Sequence, residues 1–167
     1  KNSKIVIIAT PILDVKDIFE AINESILTNN IANLVITDTS STKSKIIDWA
    51  NSILSKDTFF IGGHPMAGST EVGPNYSDGS IFEDSRWVIT PTKNTPQHAI
   101  ETILSLIEAM GAEPMFMDAD EHDSYVAGIS HMPLFAQIAL FALAKDSNAW
   151  AELSMLASSG FKSASRL

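Results

Sequence analysis

Cysteine is absent from this 167-residue chain. That rules out a disulfide framework and a thiolate metal site, and it suits a reducing, cytoplasmic setting. Cations are scarce: 11 Lys and Arg stand against 20 Asp and Glu, a net charge of −9. Nucleic acid is therefore not an expected partner, because phosphate contacts need clustered Lys and Arg. No apolar run is expected to approach the roughly 20 residues of a membrane span, so no membrane partner is expected either. The start, Lys1-Asn2-Ser3-Lys4-Ile5-Val6, carries neither an initiator methionine nor a signal-peptide pattern, and reads as a cut made just before a strand. Internal repeats and low-complexity stretches are also missing. What remains is 45% hydrophobic and 19% charged, a composition that buries a core as one domain or as one domain and part of another.

Along the chain, short β-branched runs alternate with helical periods. Lys4 to Ala9 is a continuous apolar run, expected to be a strand buried on both faces of a parallel sheet. Asp14 to Leu27 carries apolar residues at Val15, Ile18, Phe19, Ile22 and Ile26, a helical spacing. Further strands are expected at 34–37, 58–61, 86–90 and 113–117, with helices at 43–54 and 96–110. This alternation implies an α/β fold, part of a Rossmann-type, mostly parallel sheet, over residues 1–117. From Asp118 to Lys145 the character changes to one long helix, apolar nearly all round, and helix resumes over 149–157. Such a helix must be covered by other helices, so residues 118–167 read as the start of an all-helical region completed elsewhere in the chain or by another subunit.

Five segments can carry chemistry. Phe59-Phe60-Ile61 runs into Gly62-Gly63-His64-Pro65, expected to hold a histidine in a tight glycine-flanked loop at a strand end. Imidazole moves protons near neutral pH, and ligands gather at the carboxyl ends of strands in such sheets, so His64 is a candidate base. A backbone-bonded structural histidine is the plain alternative. Asp38-Thr39-Ser40-Ser41-Thr42-Lys43 lies between a strand and a helix, where one side chain should serve as N-cap. Its hydroxyls could also meet a substrate or a ribose. Glu121-His122-Asp123 is expected to be a solvated helix start. Ser130-His131 precedes Pro133, which should free the Ile129 carbonyl and bend the helix, so that this polar pair needs partners. His122 and His131 lie nine residues apart, about 180° round a helix, so no metal site is expected. Residues 158–166 look like a small-residue loop ending in Arg166, either a surface cation or a carboxylate grip.

In order along the chain stand Ala9-Thr10-Pro11 closing the first strand, Thr37-Asp38-x-x-Ser41-x-Lys43, and Gly62-Gly63-His64-Pro65-Met66-Ala67-Gly68. Thr90-Pro91-Thr92, Glu121-His122-Asp123, Ser130-His131-x-Pro133, and Gly160-Phe161-Lys162 with Arg166 follow. As an ordered set they resemble the prephenate and arogenate dehydrogenase family of tyrosine biosynthesis. The resemblance implies oxidative decarboxylation of prephenate or arogenate, with hydride passing to NAD or NADP in a homodimeric enzyme of the cytoplasm. It makes His64 the catalytic histidine that takes the ring-hydroxyl proton, with Ser41 contacting that hydroxyl and orienting the histidine. Arg166, His131, Ser130 and Thr70 fall on the substrate side, and Ala9, Thr10, Pro11 and Ser41 on the cofactor side.

The chain departs from the family in three ways. The fingerprint Gly-x-Gly-x-x-Gly is absent, as if the chain began midway through the Rossmann domain. Leu134 stands where the family commonly has a second histidine, and Thr70 where many relatives carry Glu, a neighbourhood tied to the choice of substrate. Two rivals stay open. Another β-hydroxyacid-type dehydrogenase would need a helical-region lysine, and only Lys145 and Lys162 exist there. A truncated, non-catalytic copy kept for dimerisation or tyrosine sensing is the other.

Overall fold

A computed structural model describes residues 3–69 and 73–165. The chain divides into two compact units, the first ending at Asp123 and the second starting at Ser124. The first unit holds one five-stranded sheet in the order β1-β2-β3-β4-β5. Its strands are β1 (Ile5–Ile8), β2 (Leu34–Asp38), β3 (Thr58–Pro65), β4 (Arg86–Thr90) and β5 (Glu113–Phe116). Helices α1 (Val15–Asn29), α2 (Ser44–Ile53) and α3 (Gln97–Ala109) connect them. β1, β2 and β3 run parallel, β3 and β4 antiparallel, and β4 and β5 parallel.

Apolar residues on the sheet and the helices form two cores. One joins Val15, Phe19 and Ile26 of α1 and Ile46 and Ala50 of α2 to Ile8 and Ile36 of the sheet. The other seats Ala99, Ile103 and Ile107 of α3 on Val35, Ile61, Trp87 and Ile89. Within each helix these positions recur at four- and seven-residue intervals, which is why the helical periods were legible. β1 departs from its expected double burial. It stands at the edge of this sheet with Ile7 42% exposed, because one of its sides has no paired strand among the described residues.

β3 also departs from expectation, and here the difference matters. It does not stop at Ile61 but continues through Gly62-Gly63-His64-Pro65, so His64 sits on a strand and not in a loop. The two glycines serve close approach rather than a turn. A Cβ on Gly63 would lie 2.5 Å from the Asp38 carbonyl oxygen, and one on Gly62 would strike the Thr90 hydroxyl.

Beyond β5 comes one helix, Ala119–Lys145. It comprises α4 (Ala119–Val126), a π-helical turn (Ala127–His131) and α5 (Met132–Lys145). The π turn lies just before Pro133, which has no N–H to close the ladder there. By length and composition this helix is apolar enough to cross a membrane, contrary to expectation. Ser130, His131 and Gln137 dilute the apolar run from Val126 to Leu143, but no formally charged side chain interrupts it. α6 (Trp150–Leu156) and α7 (Ser159–Ala164) follow. The segment from 158 was expected to be a loop. Its small residues form a short helix instead.

Candidate active site

β1 and β2 end side by side, since Ile8 is in register with Asp38 and the Thr39 N–H donates to the Ile8 carbonyl at 3.1 Å. Ala9, Thr10 and Pro11 follow β1 and are exposed there, as is Ser41 in the connection from β2 to α2. β3 pairs with β2 only as far as Thr37 and Ile61, and its last four residues pair with β4. On the β2 side of Gly63, two side chains replace the missing strand. The Gly63 N–H donates to Asp38 Oδ1 at 3.0 Å, and Lys43 Nζ donates to the Gly63 carbonyl at 2.6 Å. Lys43 Nζ also donates to Asp38 Oδ2 at 2.5 Å.

Both members of this ion pair are fully buried. A buried charge is tolerated only when paired and hydrogen-bonded, and here each satisfies both conditions. Burial pushes the Lys43 ammonium below its ordinary range, against the opposing pull of Asp38. Asp38 Oδ2 further accepts the Ser40 N–H at 3.0 Å.

α2 was expected to be capped locally. Its N-cap position, Lys43, offers no side-chain cap. The first free N–H groups go instead to a residue 80 positions later. Asp123 accepts the Lys43 N–H at 2.6 Å through Oδ1 and the Ser44 N–H at 2.9 Å through Oδ2. A carboxylate is favoured at a helix N-terminus, where the free N–H groups and the macrodipole are positive. The Ser44 hydroxyl adds a bond to Asp120 at 2.7 Å. α4 is thereby fastened to the start of α2.

His122 was expected to be solvated. It is fully buried. Its Nδ1 lies 2.8 Å from Asp123 Oδ1, and its Nε2 lies 2.9 Å from Nδ1 of His64. The two rings meet edge to face with centroids 5.1 Å apart. His64 itself is half-buried. Partial burial alone would push the Asp123 carboxyl up, but hydrogen bonds from the Ser44 N–H, the His122 ring and the Lys43 N–H hold it below the usual carboxylate value. The first unit thus presents a histidine backed by a second histidine and an anion, beside the carboxyl ends of three strands.

Not every expected site residue joins this group. Ser130 is exposed and His131 half-buried, both in the π turn of the second unit. Thr70 and Arg166 lie outside the described residues. Sequence reasoning missed Lys43 and His122 as site components. The signal for Lys43 was its spacing of five from Asp38; His122 stood in a segment already singled out, Glu121-His122-Asp123, but was read there as solvated.

A mostly parallel, Rossmann-type sheet with polar groups gathered at its strand ends places the chain in the nucleotide-binding class of α/β proteins. The prephenate dehydrogenase nucleotide-binding domain matches residues 1–115, and the prephenate dehydrogenase dimerization domain matches residues 118–167. The chain belongs to the prephenate dehydrogenase family. It is 32% identical over its full length to prephenate dehydrogenase from Bacillus subtilis and 34% identical over 80% of its length to that from Lactococcus lactis. The chain spans only 44% and 35% of those relatives. Among solved structures, Synechocystis arogenate dehydrogenase aligns at 30% identity with a TM-score of 0.77, covering 99% of this chain and 58% of that one. Aquifex aeolicus prephenate dehydrogenase, in complex with hydroxyphenyl propionate and NAD+, aligns at 26% identity with a TM-score of 0.87. That alignment covers 98% of this chain and 55% of the other.

Proposed function

We propose that this chain carries the proton-handling part of a prephenate or arogenate dehydrogenase. The observation that carries the reading is His64 at the end of β3, bonded through His122 to Asp123. Residues 1–117 are then part of the nucleotide-binding domain, and residues 118–167 begin the helical dimerisation domain of a cytoplasmic homodimer. The exposed residues Ala9, Thr10, Pro11 and Ser41 at the ends of β1 and β2 fit one side of a nicotinamide nucleotide, NAD or NADP. Such a cofactor, when bound, supplies the hydride acceptor.

The chain's own residues handle the rest. His64 accepts the proton of the ring hydroxyl while the carbinol C–H electron pair leaves as hydride and the oxygen pair closes a carbonyl. The ring carboxylate then departs as carbon dioxide, leaving its bonding electrons to aromatise the ring as a phenolate. His64 returns its proton to that oxygen, so no net proton is consumed. Ser41 contacts that hydroxyl and helps orient His64. Arg166, His131, Ser130 and Thr70 complete the substrate side in this proposal.

The test is a steady-state assay of the full-length gene product with prephenate and arogenate, each against NAD and NADP. Turnover with one of these pairs is expected. His64→Asn should then lower kcat by about 10²–10⁴, the usual size of a general-base contribution, with KM little changed. Turnover of that variant within a few-fold of the parent would remove His64 from the chemistry.

A further inference from the structure

We infer that His122 and Asp123 are positioning residues that lock His64 in the tautomer protonated at Nδ1, making Nε2 its basic nitrogen. The inference rests on the dehydrogenase reading above and deepens it. It follows from which atoms can donate. An ionised carboxylate only accepts hydrogen bonds, so the 2.8 Å contact between Asp123 Oδ1 and His122 Nδ1 requires the proton to sit on His122 Nδ1. A neutral His122 then has a bare Nε2. That nitrogen lies 2.9 Å from Nδ1 of His64, so His64 Nδ1 must carry the proton of this second bond. The lone pair of neutral His64 is left on Nε2.

Asp123 can set this polarity because its own orientation is fixed. Both carboxylate oxygens accept backbone N–H groups at the start of α2, Oδ1 from Lys43 and Oδ2 from Ser44. Protonating or turning the carboxyl would break those bonds. His122 is fully buried, so water does not compete for either ring nitrogen, and an unpaired nitrogen there would be costly. When His64 takes a proton at Nε2, its Nδ1–H still points at His122, and the carboxylate charge lies one ring further on. That arrangement stabilises the imidazolium and makes His64 a stronger base. Among the described residues, the charges near the pair include the Lys43 ammonium on the Gly63 carbonyl, its partner Asp38, and Asp120 on the Ser44 hydroxyl. The cation opposes the effect and the anions favour it.

The experiment compares His122→Phe, His122→Gln and His64→Asn in the full-length gene product. Phe removes the acceptor and frees the His64 tautomer, so kcat should fall by about 10–10³-fold, less than the roughly 10⁴-fold cost of replacing the orienting carboxylate of a Ser-His-Asp triad. Gln can still accept from His64 Nδ1 through its carbonyl, so it should recover part of that loss. It severs the link to Asp123, however, so the acidic limb of its pH–kcat/KM profile should move to lower pH. A residue that merely packs would not move that limb. Nitrogen NMR of the unsubstituted protein with isotope-labelled histidine gives a readout independent of folding of the variants. It should find the proton of neutral His64 on Nδ1. A proton on Nε2 overturns the inference. So do Phe and Gln variants with kcat within twofold of the parent while His64→Asn is inactive, an outcome that leaves His64 as base intact. If His64→Asn retains turnover as well, it is the dehydrogenase assignment of His64 that falls.

Discussion

At the scale of the residue, Asp123 joins two tasks that are far apart in the chain, the N-terminus of α2 and the imidazole pair. Its carboxyl is held below the ordinary value by three donors that outweigh its partial burial. The linkage to stability has a definite sign. The folded value lies below the unfolded one, which is about 3.9 for aspartate. The contribution is therefore complete above the unfolded value and is lost as pH falls through the lower, folded one. Urea denaturation of the parent should show stability declining below about pH 4, and Asp123→Asn should flatten part of that decline while lowering stability at neutral pH. A difference between parent and variant that stays constant from neutral pH into the acid range would mean the carboxylate charge contributes nothing. His64 was legible as a candidate base because strand, glycines and histidine are contiguous. His122 was not, because its burial depends on Asp123 meeting backbone 80 residues away.

At the scale of the element, the main question is why β3 stays extended as far as His64. The helical periods of α1, α2 and α3 and the strand runs were readable from apolar spacing, as were their approximate ends. The extension of β3 was not readable, since Gly62-Gly63 carries the composition of a turn. What holds it is antiparallel pairing with β4 on one side and the Asp38–Lys43 pair on the other. Those two side chains supply Gly63 with the acceptor and donor that a neighbouring strand would have given. The pair is fully buried, so removing one partner leaves the other as an uncompensated charge. Lys43→Met should therefore cost about 3–5 kcal/mol of stability, seen as a lower urea midpoint. The double variant Asp38→Asn with Lys43→Met should recover much of that loss, since it buries no charge. A single variant as stable as the parent would show that the pair does not clamp β3. The sequence spacing of Asp38 and Lys43 hinted at contact, but their shared contact with Gly63 depends on the β2–β3 register.

At the scale of the molecule, the second unit poses a different problem, because its apolar surface has little to cover it. Met132, Phe135 and Leu143 of α5 are 70%, 68% and 77% exposed, and they fall within about 80° of one another round the helix. The sequence announced this helix and its need for cover, and understated its uncharged length. Two environments could satisfy such a face, a bilayer or other helices. The match of residues 118–167 to a dimerization domain favours a second copy. Burying one large apolar side chain is worth about 1.5–3 kcal/mol. A two-fold interface repeats each contact, so Phe135→Glu should remove about 3–6 kcal/mol per dimer before any charge repulsion is added. At 1.4 kcal/mol per decade that weakens dimerisation by about 10²–10⁴-fold. Sedimentation velocity of the full-length gene product without detergent should therefore give a dimer at micromolar concentration. The Phe135→Glu protein should sediment as a monomer or a concentration-dependent mixture. A monodisperse parent monomer would refute the dimer, and a parent that stays dispersed only in detergent would return the helix to the membrane.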